Sequence, residues 1–96
     1  MSQKIEATLV RKVIRALKAA GNPVVKVDDG EELIKTSTEK EILEAAFSVD
    51  EARLCTKNGS WVFLTLGEGW DVICDYTVDL EEALSPIYEY ISRNEA

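Results

Sequence analysis

The sequence predicts a single α+β domain over residues 1–96: an antiparallel sheet of about five strands with helices packed mainly on one face, in the order α-β-β-α-β-β-β-α. Three observations point there. Apolar residues recur at helical period at both ends of the chain, and a capping box marks a further helix between them. Short β-type runs meet at Asp28-Asp29-Gly30, Asn58-Gly59 and Gly67-Glu68-Gly69. Every connection between strands, except the one across the middle helix, is therefore short enough to be a hairpin.

The first helix is expected from Gln3 to Ala20, with Ser2 as its N-cap, Gly21 as its stop and Pro23 just beyond. Ile5, Leu9, Val10, Val13, Ile14, Leu17 and Ala20 form its apolar arc. Lys4, Arg11, Arg15 and Lys18 fall within a sector of roughly 60° opposite. This basic stripe is either a solvated face or an electrostatic contact, with the acidic remainder of the fold or with a partner.

Val24–Val27 and Glu31–Thr36 read as a hairpin around Asp28-Asp29-Gly30, with Gly30 left-handed in a three-residue loop. That register sets Val25 opposite Leu33 and Lys26 opposite Glu32. The acidic tip lacks the ligand spacing of a calcium loop. Thr38 and Glu41 then form the capping box of the second helix, whose buried side is Ile42, Leu43, Ala46 and Phe47.

Ala52–Lys57 and Trp61–Leu66 flank Asn58-Gly59. A two-residue turn there pairs Cys55 with Val62 and Leu54 with Phe63. Trp61, Phe63 and Thr65 point one way and Val62, Leu64 and Leu66 the other, which suits a strand covered on both sides. Gly67-Glu68-Gly69 turns the chain into a last strand, Trp70–Val78, with Val72 and Cys74 on one face and Asp71, Ile73 and Asp75 on the other. Cys74 reads as a core thiol. The chain closes with a helix capped by Asp79, with Glu82 at the capping-box position. Leu80, Leu84, Ile87 and Ile91 are its stripe, flanked by Tyr88 and Tyr90. Pro86 either kinks this helix or opens a second one capped by Ser85.

Charge and composition exclude several chemistries. The formal net charge is −7. Residues 1–20 carry five basic side chains and one acid, and residues 21–96 carry six basic and seventeen acidic ones. This balance disfavours nucleic acid as a partner, since phosphate binding relies on Lys and Arg. There is no histidine, so Ser–His–Asp and Cys–His catalysis and His-ligated zinc cannot be assembled. No apolar run approaches the ~18–20 residues of a membrane span, which predicts a cytoplasmic protein.

Cys55 and Cys74 are expected on strands either side of a common neighbour, ~9–10 Å apart. A disulfide needs Cα atoms within ~7 Å, so none is predicted between them. Asp71 and Asp75 are the obvious paired carboxylates, but four residues along a strand separates them by ~13 Å. Glycosidase carboxylates stand ~5–10 Å apart. Gly67-Glu68-Gly69 lacks the pattern of a phosphate cradle. No catalytic residue, cofactor site or metal site is predicted. Trp70, at a loop edge with Glu68, Asp71 and Tyr76 nearby, is the candidate interaction surface, because Trp and Tyr are favoured at interfaces. The competing reading is a tryptophan folded back over the end of the sheet.

The segments Val25-Lys26-Val27-Asp28-Asp29-Gly30-Glu31-Glu32, Ser37-Thr38, Phe47-Ser48-Val49-Asp50 and Trp61-Val62-Phe63-Leu64 resemble a pattern found in small uncharacterised bacteriophage and prophage proteins. Gly67–Tyr76, followed by Thr77-Val78-Asp79-Leu80-Glu81, is similar in the same way, with Glu68 where such proteins commonly carry Asn. The resemblance spans roughly residues 22–90. It implies a phage-borne accessory protein in a bacterial cytoplasm, and it carries over no activity and no functional residues.

The expectation is a non-enzymatic protein that acts by contact with another protein or with itself as a homodimer. Two alternatives are an acidic inhibitor that mimics nucleic acid in a basic groove and a small carboxylate- or metal-dependent enzyme using Asp71 and Asp75.

Overall fold

The first helix, α1, covers Ser2–Ala19. Its stop is as expected: Gly21 N–H donates to the Lys18 carbonyl and Asn22 N–H to that of Leu17, the paired bonds of a Schellman end. The structure, a computed structural model, describes residues 2–95, with side chains from residue 4 onward. The side chain of Ser2, expected as the cap, lies outside those described.

After α1 come β1 (Val24–Asp28), β2 (Leu33–Lys35), α2 (Glu39–Ala46), β3 (Glu51–Thr56), β4 (Trp61–Thr65), β5 (Ile73–Tyr76) and α3 (Glu81–Asn94). The sheet order is β2-β1-β3-β4-β5, and every neighbouring pair is antiparallel. The α+β class, the five strands and the three helices are those the sequence predicts.

One core holds the fold together. Leu9, Val10, Val13 and Leu17 of α1, Ile42 and Ala46 of α2, and Leu84, Ile87 and Ile91 of α3 pack in it with Val24, Val27, Ala52, Leu54, Val62 and Leu64 of the sheet. All three helices thus lie on one face. The expectation that β4 is covered on both sides is overturned: Trp61 and Phe63, on its other face, do not pack against that core.

Both hairpin registers differ from expectation. Between β1 and β2 the pairs are Lys26–Lys35, Val27–Ile34 and Asp28–Leu33, not Val25–Leu33 and Lys26–Glu32. The loop is longer because the Asp29 carboxylate accepts the amides of Glu31 and Glu32 while Asp28 accepts that of Gly30. These bonds hold Glu31 and Glu32 in the turn rather than in the strand.

Between β3 and β4, Cys55 pairs with Trp61 and Leu54 with Val62, one residue away from the expected register. A type I′ turn needs positive φ at both central residues. Gly59 has φ +92°, but no residue other than glycine has positive φ among those described. The loop is instead the three residues Lys57-Asn58-Gly59, closed by Thr56 N–H donating to the Ser60 carbonyl at 2.8 Å. The slip matters because one residue exchanges the two faces of a strand. In the observed register Ala52 and Leu54 share the core face with Leu64 and Val62, and Arg53 and Cys55 join Phe63 and Trp61 opposite.

The last strand is shorter than expected. Gly69–Asp71 is a 3₁₀ turn, so Trp70 is not in the sheet. The β4–β5 ladder shifts between Phe63–Asp75 and Leu64–Ile73, leaving Cys74 as the extra residue of a bulge. Ile73 is therefore buried with Val72, and Cys74 is exposed rather than a core thiol. Both cysteines are free, as predicted.

The capping box of α2 is present: Glu41 N–H donates to Thr38 Oγ1, and the Thr38 and Thr36 hydroxyls donate to the Glu41 carboxylate. That of α3 is not. Asp79 sits inside a 3₁₀ turn, Val78–Leu80, that leads into α3, and its carboxylate accepts from Ser60 Oγ and Asn58 Nδ2 instead. The α3 stripe of Leu80, Leu84, Ile87 and Ile91 is buried as expected, and a single helix runs through Pro86.

Candidate interaction surface

The open face of the sheet follows from the registers. Across it run two rows: Lys35, Lys26, Cys55 and Trp61, then Leu33, Asp28, Arg53, Phe63 and Asp75, with Glu51 and Thr65 beyond. None of these side chains is buried. Arg53 crosses from β3 to β4, its guanidinium carbon 5.2 Å from the Trp61 ring centre and 5.5 Å from that of Phe63. Such stacking shields part of both rings while leaving the charge in water. Leu33 is 58% exposed at the β2 edge of the same face. Burial raises the Cys55 thiol pKa, and the neighbouring Asp28 carboxylate adds to the shift. At one end of the face a shallow depression of ≈ 400 Å³ is lined by Asp28, Asp29, Asp50, Glu51, Arg53 and Phe63.

The residues singled out from the sequence fall in two other places. Trp70 packs partly on the core with its ring 6.3 Å from that of Tyr90, and Lys12 Nζ lies 4.2 Å from the Tyr90 ring centre. A hollow of ≈ 200 Å³ beside it is lined by Lys4, Ile5, Thr8, Trp70 and Tyr90. Glu68 and Asp71 are exposed on the adjoining turn. Tyr76 is elsewhere, 5.9 Å from Tyr88. Tyr88 and Tyr90 flank the buried stripe of α3 on opposite sides, so the two aromatic pairs are separate.

Lys4, Arg11, Arg15 and Lys18 are all exposed along α1. Arg15 is engaged within the fold, its Nε 3.1 Å from Glu39 Oε1 and its Nη2 3.3 Å from Oε2. Asp71 and Asp75 are both exposed, and the described residues contain no group of three His, Cys, Asp or Glu placed to hold a metal.

The sequence reading missed Glu6. It is only 2% exposed, and its carboxylate accepts Gly67 N–H and Gly69 N–H, each at 2.8 Å. The signal was available: by the 3.6-residue period, position 6 falls between Val13 and Leu17 in the middle of the apolar arc. An acid there must have a partner, because a bare buried carboxylate is too costly.

No family model matches the chain, and no curated protein or solved structure matches it significantly.

Proposed function

We propose that this chain is a non-enzymatic accessory protein of the bacteriophage or prophage type, working in a bacterial cytoplasm by contact with another protein surface. The observation that carries the reading is the uncovered sheet face, where Trp61 and Phe63 make no contact with the core and Arg53 lies over both. Aromatic and Arg side chains are the residues that anchor protein interfaces. Both rings are half-buried under Arg53 rather than under the core, and the surface they keep open to solvent is what a partner would cover.

The test is affinity purification of the tagged protein from a bacterial host, run beside Trp61→Ser and Phe63→Ser variants with unchanged circular dichroism. A protein recovered with the wild type and lost with both variants is the expected result. No protein above background, or equal recovery with the variants, overturns it. The acidic balance of residues 21–96 favours a narrower variant, a nucleic-acid mimic in a basic groove. In that case the captured protein is a nucleic-acid-binding one, and added DNA displaces the chain from it.

A further inference from the structure

We infer that the solvent side of α1 docks an acidic segment of a partner protein, which lies along the helix and seats one apolar side chain in the hollow beside Trp70 and Tyr90. This surface is independent of the open sheet face, because α1 lies with the other helices on the opposite side of the sheet. It joins two features that stand apart in the sequence, the basic stripe and Trp70: Lys4 belongs to the stripe and also lines the hollow.

Charge defines the occupant. By the 3.6-residue period, a sector of about 120° around the stripe takes in positions 4, 8, 11, 12, 15, 18 and 19 of α1. Lys4, Arg11, Lys12, Arg15 and Lys18 are basic, the other two are Thr8 and Ala19, and none is an acid. Arg15–Glu39 is the only ion pair among the described residues, so the other four cations have no carboxylate partner among them. On a chain of net −7 this strip is a local reversal of sign, and surfaces of opposite potential are what bring partners together in register.

The hollow supplies the anchor. Its ≈ 200 Å³ is lined by Lys4, Ile5, Thr8 and the rings of Trp70 and Tyr90, which stand 6.3 Å apart with their planes tilted by 47°. Lys12 lies over the Tyr90 ring, 4.2 Å from its centre. The volume is below the roughly 300–1,000 Å³ of sites that enclose a whole small molecule, so it suits a single side chain. Interface anchors are apolar or aromatic side chains seated in such pockets, and Trp and Tyr are prominent among the residues that carry binding energy. From Lys4 to Lys18 the helix rises about 21 Å. An extended segment covers that length in about six or seven residues at ~3.3 Å each.

A peptide fits this strip better than nucleic acid does. Glu39 and Glu44 of α2, with Lys40 between them, lie on its far side beside Arg11. The exposed Glu68 and Asp71 adjoin Trp70 at the hollow end. The basic strip is therefore about one segment wide, and the carboxylates at its margins repel the further phosphates that a nucleic acid would bring.

The experiment is a heteronuclear NMR titration of the whole chain with a seven-residue peptide of one phenylalanine and six glutamates, made with the phenylalanine at either end. Trp61→Phe assigns the two indole N–H signals, one on each surface. The peptide is expected to shift the Trp70 indole and the Ile5 and Thr8 amides and to leave the Trp61 indole in place. Binding should weaken at least ~5-fold as salt rises from about 20 mM to about 0.5 M. Serine in place of the phenylalanine should also weaken it at least ~5-fold. Lys4→Glu and Thr8→Glu, each of which sets a carboxylate at the hollow outside the core, should do the same. Lys26→Glu, with the same change of charge as Lys4→Glu but on the open sheet face, should not.

An unmoved Trp70 indole, equal binding of the serine peptide, or an equal loss in Lys26→Glu overturns the inference. So does a shift of the Trp70 signal with protein concentration alone, which gives the hollow to a second copy. Tighter binding of a short thymidine strand gives the strip to nucleic acid and overturns it too. A Trp61 indole that shifts alone removes this inference and leaves the open-face reading standing.

Discussion

The Glu6 carboxylate, in α1, accepts the backbone N–H of Gly67 at 2.8 Å across 61 positions of sequence, and with its other oxygen holds Gly69. The turn that leads from β4 toward β5 is thereby fastened to the first helix. Gly67 and Gly69 have φ of +99° and +60°, which turns their amides toward a single acceptor.

Glu6→Ala leaves both amides without their acceptor on a turn where Gly67 is exposed and Gly69 half-buried, so water replaces it only in part. A fully buried unmet donor costs about 1–3 kcal/mol, and partial access to water puts these two near the lower end, so the expected loss in urea unfolding is about 2 kcal/mol. Glu6→Gln retains one carbonyl acceptor and should lose roughly half as much. Hydrogen exchange at Gly67 and Gly69 should accelerate in both variants. An Ala variant as stable as the wild type would show that the carboxylate is not what holds the turn.

The fold was legible because its determinants are local. The arc of α1, the Thr38–Glu41 box and the Leu84–Ile87–Ile91 stripe each lie within a few turns of helix, and each forms as the spacing requires. Registers were not legible, because a loop's length depends on which side chains bond its backbone. Asp29 holds two residues in the first turn, and Asn58 holds its own tip by accepting from Ser60 N–H and Thr56 Oγ1. The candidate surface was lost with the second register. Displaced by one residue, Cys55 and Arg53 seemed to belong with Val62 and Leu64, and β4 looked apolar on both faces. The link from Glu6 to Gly67 is long-range, and only the odd placement of an acid within an apolar arc pointed toward it.

Gly59 tests the second hairpin directly. Its φ of +92° is a conformation that an L side chain adopts at a cost of about 1–2 kcal/mol. An added Cβ would meet no atom within 4 Å, so the loss in Gly59→Ala is of backbone origin alone. Thermal or urea unfolding should report about 1–2 kcal/mol, with the native circular dichroism unchanged. A negligible loss would mean that the loop does not hold this residue at positive φ.

Asp79 should make stability depend on pH. The Ser60 hydroxyl, followed by that of Thr77, holds its carboxyl below the ordinary value of 3.8. A group whose pKa is lower when folded stabilises the protein above its unfolded value, and that contribution disappears as pH falls through the folded one. Asp79→Asn should therefore melt lower than the wild type near neutral pH, with the gap closing as pH drops below 3.8. Melting curves across that window decide the matter: a gap that stays constant into acid would assign the effect to packing rather than to charge.

The two thiols should react at different rates, because the bulge in β5 and the open face place them differently. Cys74 is exposed, whereas Cys55 is half-buried between Lys26 and Trp61 in its row. The thiolate is the reactive form, and burial followed by the Asp28 charge raises the Cys55 pKa above the ordinary thiol value of 9.0. Access favours Cys74, and the raised pKa slows Cys55 further. With iodoacetamide at mildly alkaline pH, Cys74 should label several-fold faster, because its thiol is open to solvent whereas that of Cys55 is half-buried and harder to ionise than an ordinary thiol. Peptide mapping by mass spectrometry separates the two sites, and Cys74→Ser should leave only the slow phase. Equal rates would contradict the bulge that turns Cys74 outward, since in an unbroken ladder it would share the core face with Val72.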